Sequence, residues 1–234
     1  GEENITQTHA NGIGMKGPIK PDKIYPTTQS SLQSAVDQIN KQGAFSMINH
    51  PNWKWSFKSK ELLQIRGVHA FEVYNGSFES NNNGSDEHES TDTMWDNILS
   101  QGQLIYGVAT DDCHLFSKSL YNKDRPLSGF IGVEAENLSI ENIVASLKSG
   151  RFYATTRLEL NHFYCDDKKY YIDIKPFGQI QFTTKFIGHH GKILAVEKGL
   201  TPEYKIRGDE KYVRAVIECS DNLRAWTQPH MCKH

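Results

Sequence analysis

The sequence lacks a long hydrophobic run and an excess of charge of either sign. Its 234 residues contain no stretch of about 18 apolar residues, so no transmembrane helix is expected. No charged-then-apolar leader opens the chain. Its 26 Lys and Arg residues nearly balance 28 Asp and Glu residues, which disfavours a nucleic-acid-binding protein. With 37% hydrophobic and 11% aromatic residues the chain can build a core, which excludes a disordered protein.

Paired cysteines and several common catalytic motifs are also missing. The four cysteines lie far apart with no CxxC pair, so neither a zinc ribbon nor a disulfide framework is expected. The sequence has no GxSxG, Walker or GxGxxG motif, which leaves serine acyl transfer and nucleotide binding without support.

The first two-thirds of the sequence alternates short apolar runs with segments of helical periodicity. This alternation predicts an α/β fold with a parallel sheet or barrel covered by helices. In such folds the chemistry lies where strands end, at their carboxyl edge. Strands are predicted over 44–48, 68–73, 104–109 and 130–133, and helices over 32–41, 60–66, 93–99 and 139–147.

After about Thr155 the pattern changes to short alternating strands separated by glycines. This pattern is typical of an antiparallel β-sandwich. We therefore predict two domains, covering residues 1–155 and 156–234. The sandwich strands are predicted over 158–165, 169–174, 179–187, 192–196, 204–207 and 211–219.

Two predicted strands are followed by residues of the types that commonly bind metals in proteins. Asp112-Cys113-His114 follows the strand at 104–109, and residues two apart in an extended segment point to the same side. His50 follows the strand at 44–48, and Pro51 is expected to restrict His50 to extended backbone. Carboxylate and imidazole are ligands of zinc, manganese and iron. The alternative is that the aspartates cap a helix and that His50 only ends its strand.

Two further segments have open interpretations. The alternating aromatic residues Trp53, Trp55 and Phe57 either line a pocket or only cover the surface. The polar loop over 80–90 is either a mobile flap over the barrel mouth or, as the favoured interpretation, an inert insertion.

An ordered set of motifs resembles the PHP (polymerase and histidinol phosphatase) domain family, and in particular bacterial metallohydrolases in which this domain precedes a small β domain. The resemblance covers nearly the whole chain, and the order of the motifs is more specific than any one of them. The motifs are Gly1-Glu2-Glu3 with His9-Ala10-Asn11, Asn49-His50-Pro51, Phe71-Glu72-Val73-Tyr74-Asn75-Gly76, Trp95-Asp96 with Leu99 and Gly102, Gly107-Val108-Ala109-Thr110-Asp111-Asp112-Cys113-His114, and Leu147-Lys148-Ser149-Gly150-Arg151-Phe152-Tyr153.

The resemblance implies a distorted (β/α)7 barrel with up to three divalent metal ions (Zn, Mn or Fe), followed by a small antiparallel β-sandwich. It implies that Glu3 bridges two metals and that His9 and His50 complete one of those two metal sites. It implies further that Asp112 is a ligand of the second metal and His114 a ligand of a third. Glu3, Asp112 and His114 are the implied catalytic residues. Glu72, Tyr74 and Asn75 resemble the pocket wall, where they would orient ligands or substrate.

The sequence departs from the family at its start. The family opens with a strand carrying His-x-His, whereas this sequence begins at the following Gly-x-Glu segment, so an incomplete barrel with an open sheet edge is expected. The predicted function is metal-dependent hydrolysis of phosphoesters, with activity weakened by the missing ligands. The alternative is a catalytically inactive module that binds a carbohydrate or a protein partner.

The same interpretation sets the expected partners. They are a small phosphoester substrate, no nucleic acid, and a second copy of the chain if an open edge is covered by a homo-oligomer. The start at Gly1 fits removal of a secretion signal and fits a piece of a longer chain equally, so the compartment is left open, with export as one alternative.

Overall fold

The first sheet carries the predicted parallel strands. The computed structural model describes residues 2–5, 8–20, 25–114 and 126–232, and for residues 2–5 and 8 it describes the backbone alone. Strands β3, β4 and β5 run parallel, while β1 and β2 are added antiparallel at one side. In spatial order the strands are β1 (Glu2–Ile5), β2 (Thr8–Ile13), β3 (Phe45–Ile48), β4 (Ala70–Asn75) and β5 (Tyr106–Thr110).

Three of the four helices in the described ranges lie close to the predicted positions, whereas the helix predicted over 60–66 ends at Leu62. Helix α1 buries Leu32, Ala35, Val36 and Ile39, but it begins four residues before the predicted start because Thr27 caps it by accepting from the Ser30 N–H. The predicted cap of the last helix is confirmed, since Ser139 accepts from the Asn142 N–H. The helices are α1 (Thr28–Lys41), α2 (Ser59–Leu62), α3 (Thr91–Ser100) and α4 (Ile140–Lys148).

None of the helices in the described ranges is long and apolar enough to cross a bilayer.

Two antiparallel sheets make up the rest of the described chain. The larger has the strand order β11-β10-β13-β14-β7-β6, with β15 paired to β13, and the smaller has the order β12-β9-β8. The strands are β6 (Phe130–Val133), β7 (Phe152–Thr155), β8 (Leu160–Cys165), β9 (Lys169–Ile174), β10 (Phe182–Gly188), β11 (Lys192–Lys198), β12 (Glu203–Lys205), β13 (Tyr212–Cys219), β14 (Arg224–Thr227) and β15 (His230–Met231).

The fold is therefore mixed α/β and rich in sheet, and the expected barrel is not confirmed. The strand at 130–133 has its predicted bounds, but it pairs antiparallel with β7 in the larger sheet instead of extending the parallel one. The pairing places the Tyr153 ring against Gly132, where a Cβ atom would lie 2.4 Å from a ring carbon. Apolar periodicity identifies a strand but neither its direction nor its partner, and this close approach forms only in the tertiary structure.

One hydrophobic core is shared by the two large sheets. It contains Ile48 and Phe71 from the first sheet, Trp95 from α3, and Tyr212 and Trp226 from the larger antiparallel sheet. Strands β6 and β7, which fall before residue 156, also belong to that larger sheet. The division into domains at 155/156 stays a prediction.

The outer edge of β5 is covered by a glutamine side chain. Gln228 accepts from the Gly107 N–H at 2.9 Å and donates to the Gly107 carbonyl at 2.8 Å, as a neighbouring strand would. Both Gly107 bonds to Gln228 are buried. A side chain therefore satisfies backbone groups at the β5 edge of the first sheet.

A buried ion pair joins α3 to the larger antiparallel sheet. Arg214, which is 1% exposed, donates to both carboxylate oxygens of Asp96 at 2.7 and 2.8 Å and lies 3.1 Å from Asp92. The Tyr212 hydroxyl also donates to Asp96, at 2.7 Å. Burial alone would lower the pKa of Arg214, but the charges of Asp96 and Asp92 outweigh that effect and raise the pKa.

We expect Asp96→Ala to lower the free energy of unfolding by about 3–5 kcal/mol, because it leaves the Arg214 charge buried without its main partner. Urea denaturation measures this change. The matched control is Glu159→Ala, which removes an ion pair of 2.6 Å whose side chains are 56% and 55% exposed. Glu159→Ala should lower the free energy of unfolding by less than about 1 kcal/mol, because exposed ion pairs contribute little. Equal losses in the two variants would contradict the assigned role of the buried pair.

Candidate metal centre

The ends of four strands of the first sheet meet at one edge. The parallel strands β3, β4 and β5 bring their carboxyl ends there, as the sequence predicts. Strand β2 runs the other way, so its amino-terminal part lies at the same edge, with Ala10 opposite Ile48. The Asn49 N–H donates to the His9 carbonyl at 3.0 Å, which places His9 beside the residues that follow β3.

The imidazoles of His9 and His50 converge at this edge. His50 Nε2 lies 3.1 Å from His9 Nδ1, and the rings meet edge-to-face with centroids 4.8 Å apart. The extended backbone expected for His50 is wrong, since its φ is +24°. Such a backbone costs a non-glycine residue about 1–3 kcal/mol and persists only where the surroundings hold it. Here the His50 N–H is bound to Glu72 and its carbonyl accepts from the Trp53 N–H at 2.9 Å.

The Glu72 carboxylate links the ends of three strands. It accepts from the His50 N–H at 2.6 Å, from the Asn75 amide at 2.8 Å and from the Thr110 hydroxyl at 2.7 Å. Burial raises the pKa of Glu72 to about 7, although these three donors oppose the rise and the charge of Asp112 adds to it. With its oxygens engaged in this way, Glu72 holds the residue after β3 and the ends of β4 and β5 together, and its role in orienting ligands or substrate stays a prediction.

Asp112 and His114 lie at the rim of the same site. Asp112 has a φ of +47°, so the segment is not the extended one expected, and its carboxylate accepts from the Asn75 amide at 3.2 Å. His114 is exposed, with Nδ1 2.9 Å from the carbonyl oxygen of Asp112 and 3.7 Å from its carboxylate. The pair is therefore brought together with the histidines by a turn and not by strand alternation.

A cavity of about 330 Å³ contains these side chains. Such a volume is at the small end of the range for small-molecule sites, so it suits a small ligand. The cavity is lined by His9, His50, Trp53, Ser77, Phe78, Glu79, Ser80, Asp112 and His114.

Two of the predicted site residues lie elsewhere or are described only in part. The backbone of Glu3 pairs with Ala10 in β2, one residue from His9, and its side chain lies outside the described atoms. Tyr74 stacks on Trp226 with centroids 5.7 Å apart and lines a neighbouring cleft of about 780 Å³ instead of the histidine cavity.

The convergent histidines fit two ligands of one cation. The 3.1 Å between His50 Nε2 and His9 Nδ1 is a hydrogen-bond distance between two imidazoles. It is also close to the separation of about 3.3 Å between two nitrogens bound to a tetrahedral zinc at 2.0–2.1 Å. Among the side chains that the structure describes, no three His, Cys, Asp or Glu groups form a ready ligand set. The described side chains thus do not form a metal centre by themselves, and the expected metal-binding roles of His9, His50 and Glu3 stay predictions.

The two segments with open interpretations both lie beside this cavity. Trp53 is a wall of the pocket, with its ring 5.1 Å from His50 and 5.8 Å from His9. The loop over 80–90 is bound to the body of the protein, because the Asn52 amide donates to the carbonyls of Asn81 and Glu89 at 3.0 and 2.9 Å. Glu89 also accepts from the Ser59 N–H at 2.6 Å, so the loop is hydrogen-bonded to the rest of the protein near both of its ends, and its role as a flap or as an inert insertion stays a prediction.

Sequence reasoning missed two residues of the site. Thr110, which binds Glu72, directly follows the apolar run of β5, so its position was available as a signal. Phe78 lines the cavity from a turn after β4, where no periodicity marks it.

No family profile matches the sequence, and no curated protein matches it. One solved structure with similarity to this chain is a two-domain protein from Bacteroides vulgatus that contains a predicted PHP-like metal-dependent phosphoesterase. The two chains are 16% identical with a TM-score of 0.45, and the match covers 90% of this chain and 65% of the other. This chain thus spans a little under two-thirds of that protein, and at this similarity neither fold nor activity follows from the match.

We expect the metal-free Glu72→Gln variant to be more stable than the parent above pH 7. The amide oxygen can accept from the His50 N–H and the Asn75 amide, and the amide NH2 can donate to the Thr110 hydroxyl oxygen, so three bonds remain without a buried charge. A folded-state pKa raised from 4.5 to about 7 means that the parent has its full stability below pH 4.5 and loses it as the pH rises toward 7. The difference between variant and parent should therefore grow by about 3 kcal/mol across this window and then level off. Urea denaturation at several pH values measures it.

Glu210→Gln is the control, because the pKa of Glu210 is shifted in the direction opposite to that of Glu72. Burial would raise the pKa of Glu210, but donors including the Tyr204 hydroxyl and the Arg207 and Gly208 N–H groups lower it to about 2. The Glu210 carboxylate therefore stabilises the fold above pH 4.5, and this contribution is lost as the pH falls toward 2. Glu210→Gln should be less stable than the parent at pH 7. A stability difference between Glu72→Gln and the parent that does not change between pH 4.5 and 7 would show that Glu72 is not the buried titrating group.

Proposed function

We propose that this chain is a metal-dependent hydrolase of the phosphoesterase class, with its centre in the cavity formed by His9 and His50. The proposal depends on one observation, the 3.1 Å approach of two imidazole nitrogens at the shared strand edge. The strained backbones of His50 and Asp112 support it, because such conformations cluster at functional sites.

Each residue has a distinct role in this proposal. His9 and His50 hold a divalent cation (Zn, Mn or Fe), and the Glu3 carboxylate completes the site, as the resemblance of the sequence to the PHP family implies. Asp112 and His114 bind further cations or substrate oxygens at the rim. Asn75 keeps Asp112 in place and Glu72 fixes the backbone of His50. When bound, such ions lower the pKa of a water molecule and neutralise charge on the phosphoryl oxygens.

The charges of the side chains that line the cavity favour a substrate anion only when cations are bound. Asp112 and Glu79 both line it, so without a cation their negative charges repel a phosphoryl group. The imidazoles of His9, His50 and His114 are neutral ligands when they bind metal. A bound divalent cation would reverse the sign of the local charge, which is why substrate binding is expected to depend on metal.

We expect His50→Ala and His9→Ala each to lose bound metal after loading with Mn or Zn and removal of the excess, because each variant removes one of the two convergent ligands. Elemental analysis measures the metal content per chain. His162→Ala is the matched control, since His162 is half exposed beside Glu134 and outside this cavity. Unchanged metal content in His50→Ala would refute the metal assignment.

Phosphatase activity separates the hydrolase from the alternative binding module. We expect hydrolysis of p-nitrophenyl phosphate with added Mn, its loss on chelation, and a decrease in kcat of about 100-fold or more in His50→Ala. Metal binding with no turnover of generic phosphoesters would instead support a catalytically inactive binding module.

A further inference from the structure

We propose that the phosphoester bound in this cavity carries a planar aromatic ring, which Trp53 and Phe78 recognise. This inference rests on the proposed function, since it concerns the substrate of the same site. Both side chains line the cavity that contains His9 and His50. They are its large apolar walls, whereas Ser77, Glu79, Ser80, Asp112 and His114 are polar.

Phe78 is exposed but is not on a loose loop. Its side chain is 59% exposed. The turn that carries it is closed by the Ser80 N–H, which donates to the Ser77 carbonyl at 3.2 Å, and by the buried Ser80 hydroxyl, which donates to the Asn75 carbonyl at 2.9 Å. A single exposed apolar residue needs no explanation on most surfaces. Here hydrogen bonds hold the backbone of the turn that places Phe78 at the wall of a polar cavity.

The turn is bound to the same residue that organises the metal centre. The Ser77 N–H donates to the Asn75 side-chain oxygen at 2.9 Å. The other end of that amide donates to Glu72 and Asp112. The position of Phe78 relative to Asp112 is therefore set by one asparagine, as is required of a residue that selects the group next to the reacting centre.

Trp53 supplies a second ring surface at the histidines. Its backbone N–H donates to the His50 carbonyl at 2.9 Å, which fixes the backbone at this position. The ammonium of Lys54 lies 4.2 Å from the centre of the Trp53 ring. Aromatic side chains bind planar rings by offset stacking or edge-to-face contact, which discriminates them from aliphatic groups of similar size. The small cavity volume restricts the ligand to about one ring and its anionic group.

The test compares phenylphosphonate with cyclohexylphosphonate, which share an anionic group and a carbon ring of similar size, differ in whether that ring is planar and aromatic, and are not hydrolysed by a phosphatase. Calorimetry on the Mn-loaded full chain should show phenylphosphonate binding about 3- to 10-fold more tightly. We expect Phe78→Ala to remove most of that preference and Phe78→Tyr to keep it. Leu138→Ala, at an apolar residue 97% exposed and outside this cavity, is the control and should leave the preference unchanged.

The outcomes test ring recognition and hydrolysis separately. Equal affinity for the two phosphonates, no binding of either, or a preference that survives in Phe78→Ala would overturn the inference on ring recognition. Hydrolysis of p-nitrophenyl phosphate would still support the proposed function in those cases. Conversely, a ring preference lost in Phe78→Ala without any turnover would support recognition and contradict hydrolysis. Thermal unfolding of each variant shows that the fold is intact.

Discussion

The hydrogen bonds of one buried carboxylate determine the geometry of the candidate site. Glu72 receives donors from the residue after β3, from the end of β4 and from the end of β5. A carboxylate placed in the interior loses its hydration and is tolerated only where donors replace water. Burial raises the pKa of Glu72 more than the three donors lower it, so the donors replace the lost hydration only in part. This incomplete replacement is the energetic cost of joining three strand ends at one carboxylate.

The strained residues of the site depend on that arrangement. His50 has a φ of +24° and Asp112 a φ of +47°, and each is bound to the network of Glu72 and Asn75. These hydrogen bonds hold both backbones in their left-handed conformations. Asn75 extends the same network to the turn with Phe78, so the ligand side chains and the proposed ring contact share one support.

The larger antiparallel sheet stabilises this site from a distance. Arg214 and Tyr212 bind Asp96 on α3, and Gln228 binds the outer edge of β5. Helix α3 packs on the first sheet through Trp95, which contacts Phe71 next to Glu72 in the chain. The antiparallel part is thus a structural support for the strand edge, besides any binding role of its own.

The amino-acid sequence by itself determined the local elements and part of the site. Apolar periodicity fixed α1, α4 and the strands at 130–133 and 169–174, because each pattern reports which side of a local element is buried. It also placed His50 and Asp112 at one edge, since the carboxyl ends of parallel strands meet there. The tertiary structure alone decided that β2 runs antiparallel and brings His9 to His50, that β6 joins the other sheet, and that Phe78 lines the cavity. These features depend on strand direction and on contacts between residues distant in the chain, which no local pattern encodes.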